Sequence, residues 1–129
     1  MASELRVTTI ANNAGTESVN TTYVVNGSAK AWVEFDHTTN TRNSSLNVSS
    51  VADSDTGKFT SSFTNAFSSA TDYSCVGMSR GYHMIVDTDS NSKVSGSVKV
   101  RTWYVSSTSG GRTSSDLYHN SVNCTGDLA

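Results

Sequence analysis

From Lys30 to Asp36 the chain reads Lys-Ala-Trp-Val-Glu-Phe-Asp. Successive side chains of a strand point to opposite faces, so Ala31, Val33 and Phe35 share one side and Lys30, Trp32 and Glu34 the other. After a polar gap the alternation resumes. Leu46 and Val48 alternate with Ser45, Asn47 and Ser49, and Phe59 and Phe63 fall on one face of a third strand. Between them, Asp53-Ser54-Asp55-Thr56-Gly57 has turn chemistry. Its aspartates can bond their own backbone, and Gly57 supplies a positive φ. Half-buried antiparallel strands carry this signature. The expected core is Val33, Phe35, Leu46, Val48, Phe59, Phe63, Val98 and Val100.

Further along, Asp72 to Met78 reads as a strand with Tyr73, Cys75 and Gly77 on one face, and Tyr82 to Asp87 as another. The connection from Thr64 to Thr71 has Phe67 as its one apolar anchor. Val94 to Ser106 is the longest strand signal, with Val94, Val98, Val100 and Tyr104 on one face and Lys99, Arg101, Trp103 and Val105 on the other. Gly96 within it predicts a bulge or a close approach. Leu117 to Cys124 closes the series. About eight short strands with polar turns and no helical stripe predict an all-β fold, an antiparallel β-sandwich of jelly-roll-like form. Residues 1–29 stand apart: Leu5, Val7, Ile10 and Tyr23-Val24-Val25 are too few to form a core. They predict an N-terminal arm or edge strand, a possible docking segment, ahead of a sandwich domain at 30–129.

Composition narrows the function. A net charge of −2 gives no nucleic-acid footprint. No apolar run is long enough to cross a bilayer, and the N-terminal residues lack a stretch of signal-peptide type. Without a secretion signal, Cys75 and Cys124 read first as buried free thiols, with pairing left open. The chain has no proline to blunt strand edges. Those edges are therefore covered by another chain or guarded by charges such as Lys58, Lys93 and Lys99.

Few residues suggest chemistry. Gly77-Met78-Ser79-Arg80-Gly81 matches the nucleophile-elbow pattern, and Asp116 and His119 follow in the usual order. An elbow needs a strand, a sharp turn and a helix, whereas a strand follows here, so a hairpin turn at Gly81 is the expectation and no enzyme is expected. Asp87-Thr88-Asp89-Ser90-Asn91 starts like a calcium loop, but Ser92 and Val98 occupy the positions that need Gly and Glu. Asp87 and Asp89 with one partner leave a looser ion site open, and otherwise read as Asx turns at a loop tip. His37, His83 and His119 have no metal-ligand spacing, and no cofactor is expected. Trp32 and Trp103 lie opposite the expected core, beside Lys99 and Arg101 in the second case. A large aromatic on a polar face marks a subunit interface first, then intrachain cover, then a ligand platform.

One resemblance bears on function. AWVEFD, a polar loop, SLNVSSVADSDTGKFTSSFTNAF and then DYSCVGMS follow one another as in a domain common in bacteriophage virion proteins. There AWV-F- precedes a segment like SFNVSSV-D-GTGDYTV-FT-A and then Y-VVG. The opening Met1-Ala2-Ser3-Glu4-Leu5-Arg6-Val7 is similar as well, whereas Ser121 to Asp127 departs from the family's V-V-F-G ending. The resemblance covers the central half of the chain and this N-terminus. It implies a virion structural protein without catalytic residues, a tail-fibre or tail-tip component that contributes to host attachment. The alternative is a capsid decoration or head-fibre protein, favoured by the absence of a long shaft; a carbohydrate-binding module is a third reading. Implied partners are further copies of the chain in a homotrimer, other virion proteins through the N-terminal segment, and a host cell-surface receptor. Nucleic acid and membrane insertion are not expected. The implied location is the virion, assembled in the host cytoplasm.

Overall fold

The computed structural model describes residues 5–80, 83–86, 91–105 and 110–129. Among these are twelve strands and one short helix. An N-terminal hairpin, β1 (Thr9–Ala11) with β2 (Ser18–Asn20), leads into α1 (Thr21–Gly27). A four-stranded antiparallel sheet has the order β4 (Thr41–Leu46), β3 (Ala29–Asp36), β12 (Asn120–Gly126), β7 (Tyr73–Ser79). A six-stranded antiparallel sheet is built on β10 (Ser97–Val105). On one side β10 pairs with β6 (Lys58–Phe63), itself paired with β5 (Val48–Asp55), and with β11 (Arg112–Ser114). On the other side it pairs with β8 (His83–Val86) and β9 (Lys93–Val94). The expectation of about eight strands is low because the arm holds a hairpin of two strands, the chain divides at Asn47 and again at Ser95-Gly96, and β11 adds a short strand after β10.

The two large sheets share one apolar core. Ala31, Val33, Phe35, Val122 and Cys124 come from the four-stranded sheet, and Val48, Phe59, Phe63, Val98 and Val100 from the other. Period-2 alternation places them: β3 buries Ala31, Val33 and Phe35 and leaves Trp32 and Glu34 half-exposed. Seven of the eight expected core residues are buried there. Phe67 anchors its connection as expected, stacked on Tyr73 with centroids 4.2 Å apart.

Leu46 is the exception, 48% exposed. Asn47 explains it. Its φ of 54° ends β4 and starts β5, so the chain changes sheets between Leu46 and Val48. Asparagine tolerates this left-handed conformation better than most residues. Its side chain also holds the corner: Nδ2 donates to the Asn65 carbonyl at 3.0 Å and Oδ1 accepts from the Asn65 amide at 2.7 Å. The period-2 rule fails because it assumes one continuous strand.

Four other expectations change. Gly96 is neither a bulge nor a close approach; with Ser95 it forms the turn between β9 and β10. Strand β8 does not form a hairpin with β7; it pairs with β10 in the opposite sheet. Gly81, like Asp87 and Asp89, lies outside the described residues. Tyr23-Val24-Val25 lies in a helix rather than a strand, started by Asn20, whose side chain accepts from the Thr22 amide. Finally, Cys75 and Cys124 are a disulfide, not free thiols. They face each other on β7 and β12, with Cα atoms 4.2 Å apart. That approach suits a non-hydrogen-bonded pair of antiparallel residues, where side chains come closest.

Three stability outcomes follow. Phe35→Ala should cost about 3–5 kcal/mol in urea unfolding, because Phe35 is fully buried against Phe59. Cys75→Ser with Cys124→Ser should cost about 2–4 kcal/mol, since the bridge spans a sequence separation of 49. Gly57→Ala should destabilise more than an exposed Gly→Ala change such as Gly27→Ala. Gly57 has φ +68°, and a Cβ there would meet the Thr102 carbonyl at 2.5 Å. Equal unfolding midpoints for the two glycine variants would contradict that close approach.

Candidate assembly surfaces

The N-terminal segment is built without a core of its own. Asn12 organises the β1–β2 loop, its Oδ1 accepting from the Thr16 amide at 3.0 Å. The Thr21 hydroxyl donates to the Val7 carbonyl at 2.9 Å and ties α1 to the segment just ahead of β1. No described residue from 5 to 28 is buried. The cross-strand pair Ile10–Val19 is exposed, and Tyr23 on α1 is 74% exposed.

The four-stranded sheet presents a second apolar surface. Strand register aligns Leu46, Trp32, Asn123 and Val76 across its outer face. In the same way Glu34, Ser121 and Met78 form the next row. Val76 and Met78 are 71% and 77% exposed on β7, the edge strand of this sheet. Trp32 is half-buried within the row, on the face opposite the core as its alternation requires.

Trp32 and Trp103 do not share a patch. Trp103, Lys99 and Arg101 lie on β10 in the other sheet. Trp103 is only 8% exposed, covered within the chain by the stacked His83 ring, 6.2 Å away, and the Arg112 guanidinium, 5.2 Å from its centroid. Lys99 and Arg101 are half-buried beside it. Sequence reasoning missed Val76 and Met78. Their signal was their alternation with Tyr73, Cys75 and Gly77.

The polar side chains are engaged in the fold. Ser79 donates to Asn120 Oδ1 at 2.8 Å inside the protein, and Asn120 in turn donates to the Leu117 and Phe35 carbonyls. Asp116 accepts from the Gly57 amide at 2.6 Å and faces His37, while His119 is exposed, 3.8 Å from Glu34. Ser79, Asp116 and His119 are therefore not arranged as a triad. His37 is buried against Phe35 and Phe59, with Nε2 3.1 Å from Asp53 and Nδ1 facing Asp116 at 3.4 Å. Among the described residues no group of three or more His, Cys, Asp or Glu side chains is placed to hold a metal ion. Hydrogen bonds, chiefly from the Thr38 hydroxyl, lower the Asp36 pKa at the β3–β4 turn. Burial pushes the Tyr73 phenol up to about 12; it donates to the Val94 and Ser97 carbonyls.

Asp116→Ala should cost about 1–3 kcal/mol in urea unfolding, because the buried Gly57 amide loses its acceptor. Wild-type stability in that variant would show that the amide does not depend on the carboxylate. No family model, curated protein or solved structure matches this chain.

Proposed function

We propose that this chain is a bacteriophage virion structural protein, a tail-fibre or tail-tip component that assembles as a homotrimer and contributes to host attachment. The observation that carries the reading is the N-terminal segment. It is attached to a body with its own core, yet none of its described residues is buried. A segment of that kind suits docking on other virion proteins. The body is proposed to be a jelly-roll-like sandwich formed by its two large sheets. The ordered similarity of AWVEFD, SLNVSSVADSDTGKFT and DYSCVGMS to virion domains supports the same reading. The Cys75–Cys124 bridge suits a protein displayed on a virion surface, where disulfides persist.

The single experiment is the protein inventory of purified virions that encode this chain, combined with light scattering on the isolated protein. Peptides of the chain should be present at structural stoichiometry, and antibody labelling should mark the tail. Labelling of the head would assign it to capsid decoration instead. Its absence from virions would overturn the proposal. Three copies of a 13.7 kDa chain have a mass of about 41 kDa. A monodisperse 13.7 kDa species at micromolar concentration would refute self-association.

A further inference from the structure

The Cys75–Cys124 bridge is set unevenly in its sheet. Cys124 is 1% exposed, and its register neighbour on β3 is the fully buried Ala31. Cys75 is only half-buried. It lies on β7, which pairs with β12 and ends the four-stranded sheet. A thiolate opens a disulfide by approaching along the S–S axis, and access decides which sulfur it reaches. The bridge runs across the sheet from β12 to β7. Approach to the Cys124 sulfur along that line passes through the space of Ala31 and β3. Approach to the Cys75 sulfur starts at the free edge.

Strand β7 is also held by more than the bridge. Seven register pairs join it to β12. At its start the Tyr73 ring packs on Phe63 and Phe67, and the Tyr73 hydroxyl donates to the Val94 and Ser97 carbonyls. At its end Ser79 donates to Asn120 Oδ1 at 2.8 Å. The core that closes the two sheets draws on Phe35, Phe59, Val98 and Val100, all away from the bridge strands. Breaking the S–S bond therefore leaves β7 seated, with its two sulfurs still facing each other.

We propose that the bridge is a reversible lock on the edge strand β7, opened and closed at Cys75 by small external thiols while the fold persists. In opening, a thiolate bonds to the Cys75 sulfur and the S–S bond breaks. The electron pair leaves on Cys124, which takes a proton from solvent. A second external thiol then displaces Cys75 from the mixed disulfide. Two external thiols are oxidised to one disulfide, and the bridge is reduced to two thiols. Closing reverses both steps, with the external disulfide as oxidant. While closed, the bridge ties β7 to β12 at its middle and raises the cost of local opening there. The lock does not depend on the virion reading.

Two measurements test it. In the first, full-length wild type is treated with dithiothreitol without denaturant. The bridge should open with the circular dichroism spectrum retained. Hydrogen exchange across 73–79 should speed up by on the order of tenfold, while β3 and β6 keep their protection. A bridge that resists until urea is added, a spectrum that collapses on reduction, or unchanged exchange across 73–79 would each overturn the lock. In the second, Cys124→Ser and Cys75→Ser are exposed separately to oxidised glutathione and weighed by mass spectrometry. Cys124→Ser should gain one glutathione on Cys75. Cys75→Ser should gain none until it is unfolded in urea. Equal or reversed reactivity would overturn Cys75 as the exchanging sulfur. Should either variant fail to fold, the wild-type measurement still decides.

Discussion

Phe35 of β3 and Phe59 of β6 meet between the two large sheets, with ring centroids 5.0 Å apart and both side chains fully buried. Phe35 lies near the end of β3 and Phe59 near the start of β6, each in an alternating strand. Once their faces turn inward, the pleat decides the rest of each strand. Val33 and Ala31 follow Phe35 inward, and Trp32 and Glu34 are directed outward. The His37 ring extends the same aromatic stack, 5.5 Å from both Phe35 and Phe59. Asp53 and Asp116 flank it. The rim of the core is thereby linked to the β5–β6 turn, because Asp116 also holds the Gly57 amide and Thr102 donates to the Gly57 carbonyl at 2.7 Å. A hydrophobic contact fixes the two sheets face to face, and a short polar chain fixes one end of them.

Much of this was legible in the sequence, and the reason is that local alternation reports burial directly. It located β3, β6, β7 and the inner face of β10. It failed where one residue changes what continuity means. Asn47 reverses the facing of Leu46 by its left-handed backbone. Gly96 ends one strand and begins another. The cysteine pair was hidden for a different reason: β7 and β12 lie 49 residues apart at the bridge, and only their register brings Cys75 opposite Cys124. Trp103 was placed on the face opposite the core, but its cover by His83 and Arg112 depends on β8 and β11 pairing with β10, which no local pattern encodes. The α1 helix was missed because seven residues with two valines and no buried side carry no stripe to read.

Two residues of the elbow-like pattern, Ser79 and Asp116, are hydrogen-bonded within the fold. Ser79 and Asn120 join the end of β7 to the start of β12 within the core, and Asn120 satisfies two carbonyls as well. A buried polar group is tolerated only when its hydrogen bonds are made, and these are. Such a network locates strand ends precisely, which apolar contacts alone do not, since they constrain position without direction. Large apolar side chains are left uncovered in two places, the arm and the outer face of the four-stranded sheet.

Those surfaces also raise a question of control. Strand β7 ends its sheet with Val76 and Met78 exposed and no proline in the chain to interrupt it. An edge of that kind invites indiscriminate pairing with other strands. Charge stands near it: Ser121 pairs with Met78 on one side and with Glu34 on the other, so a carboxylate shares the row that reaches the edge. A charged side chain on the same face makes it costlier for an apolar strand to add there, because the carboxylate would lose its water.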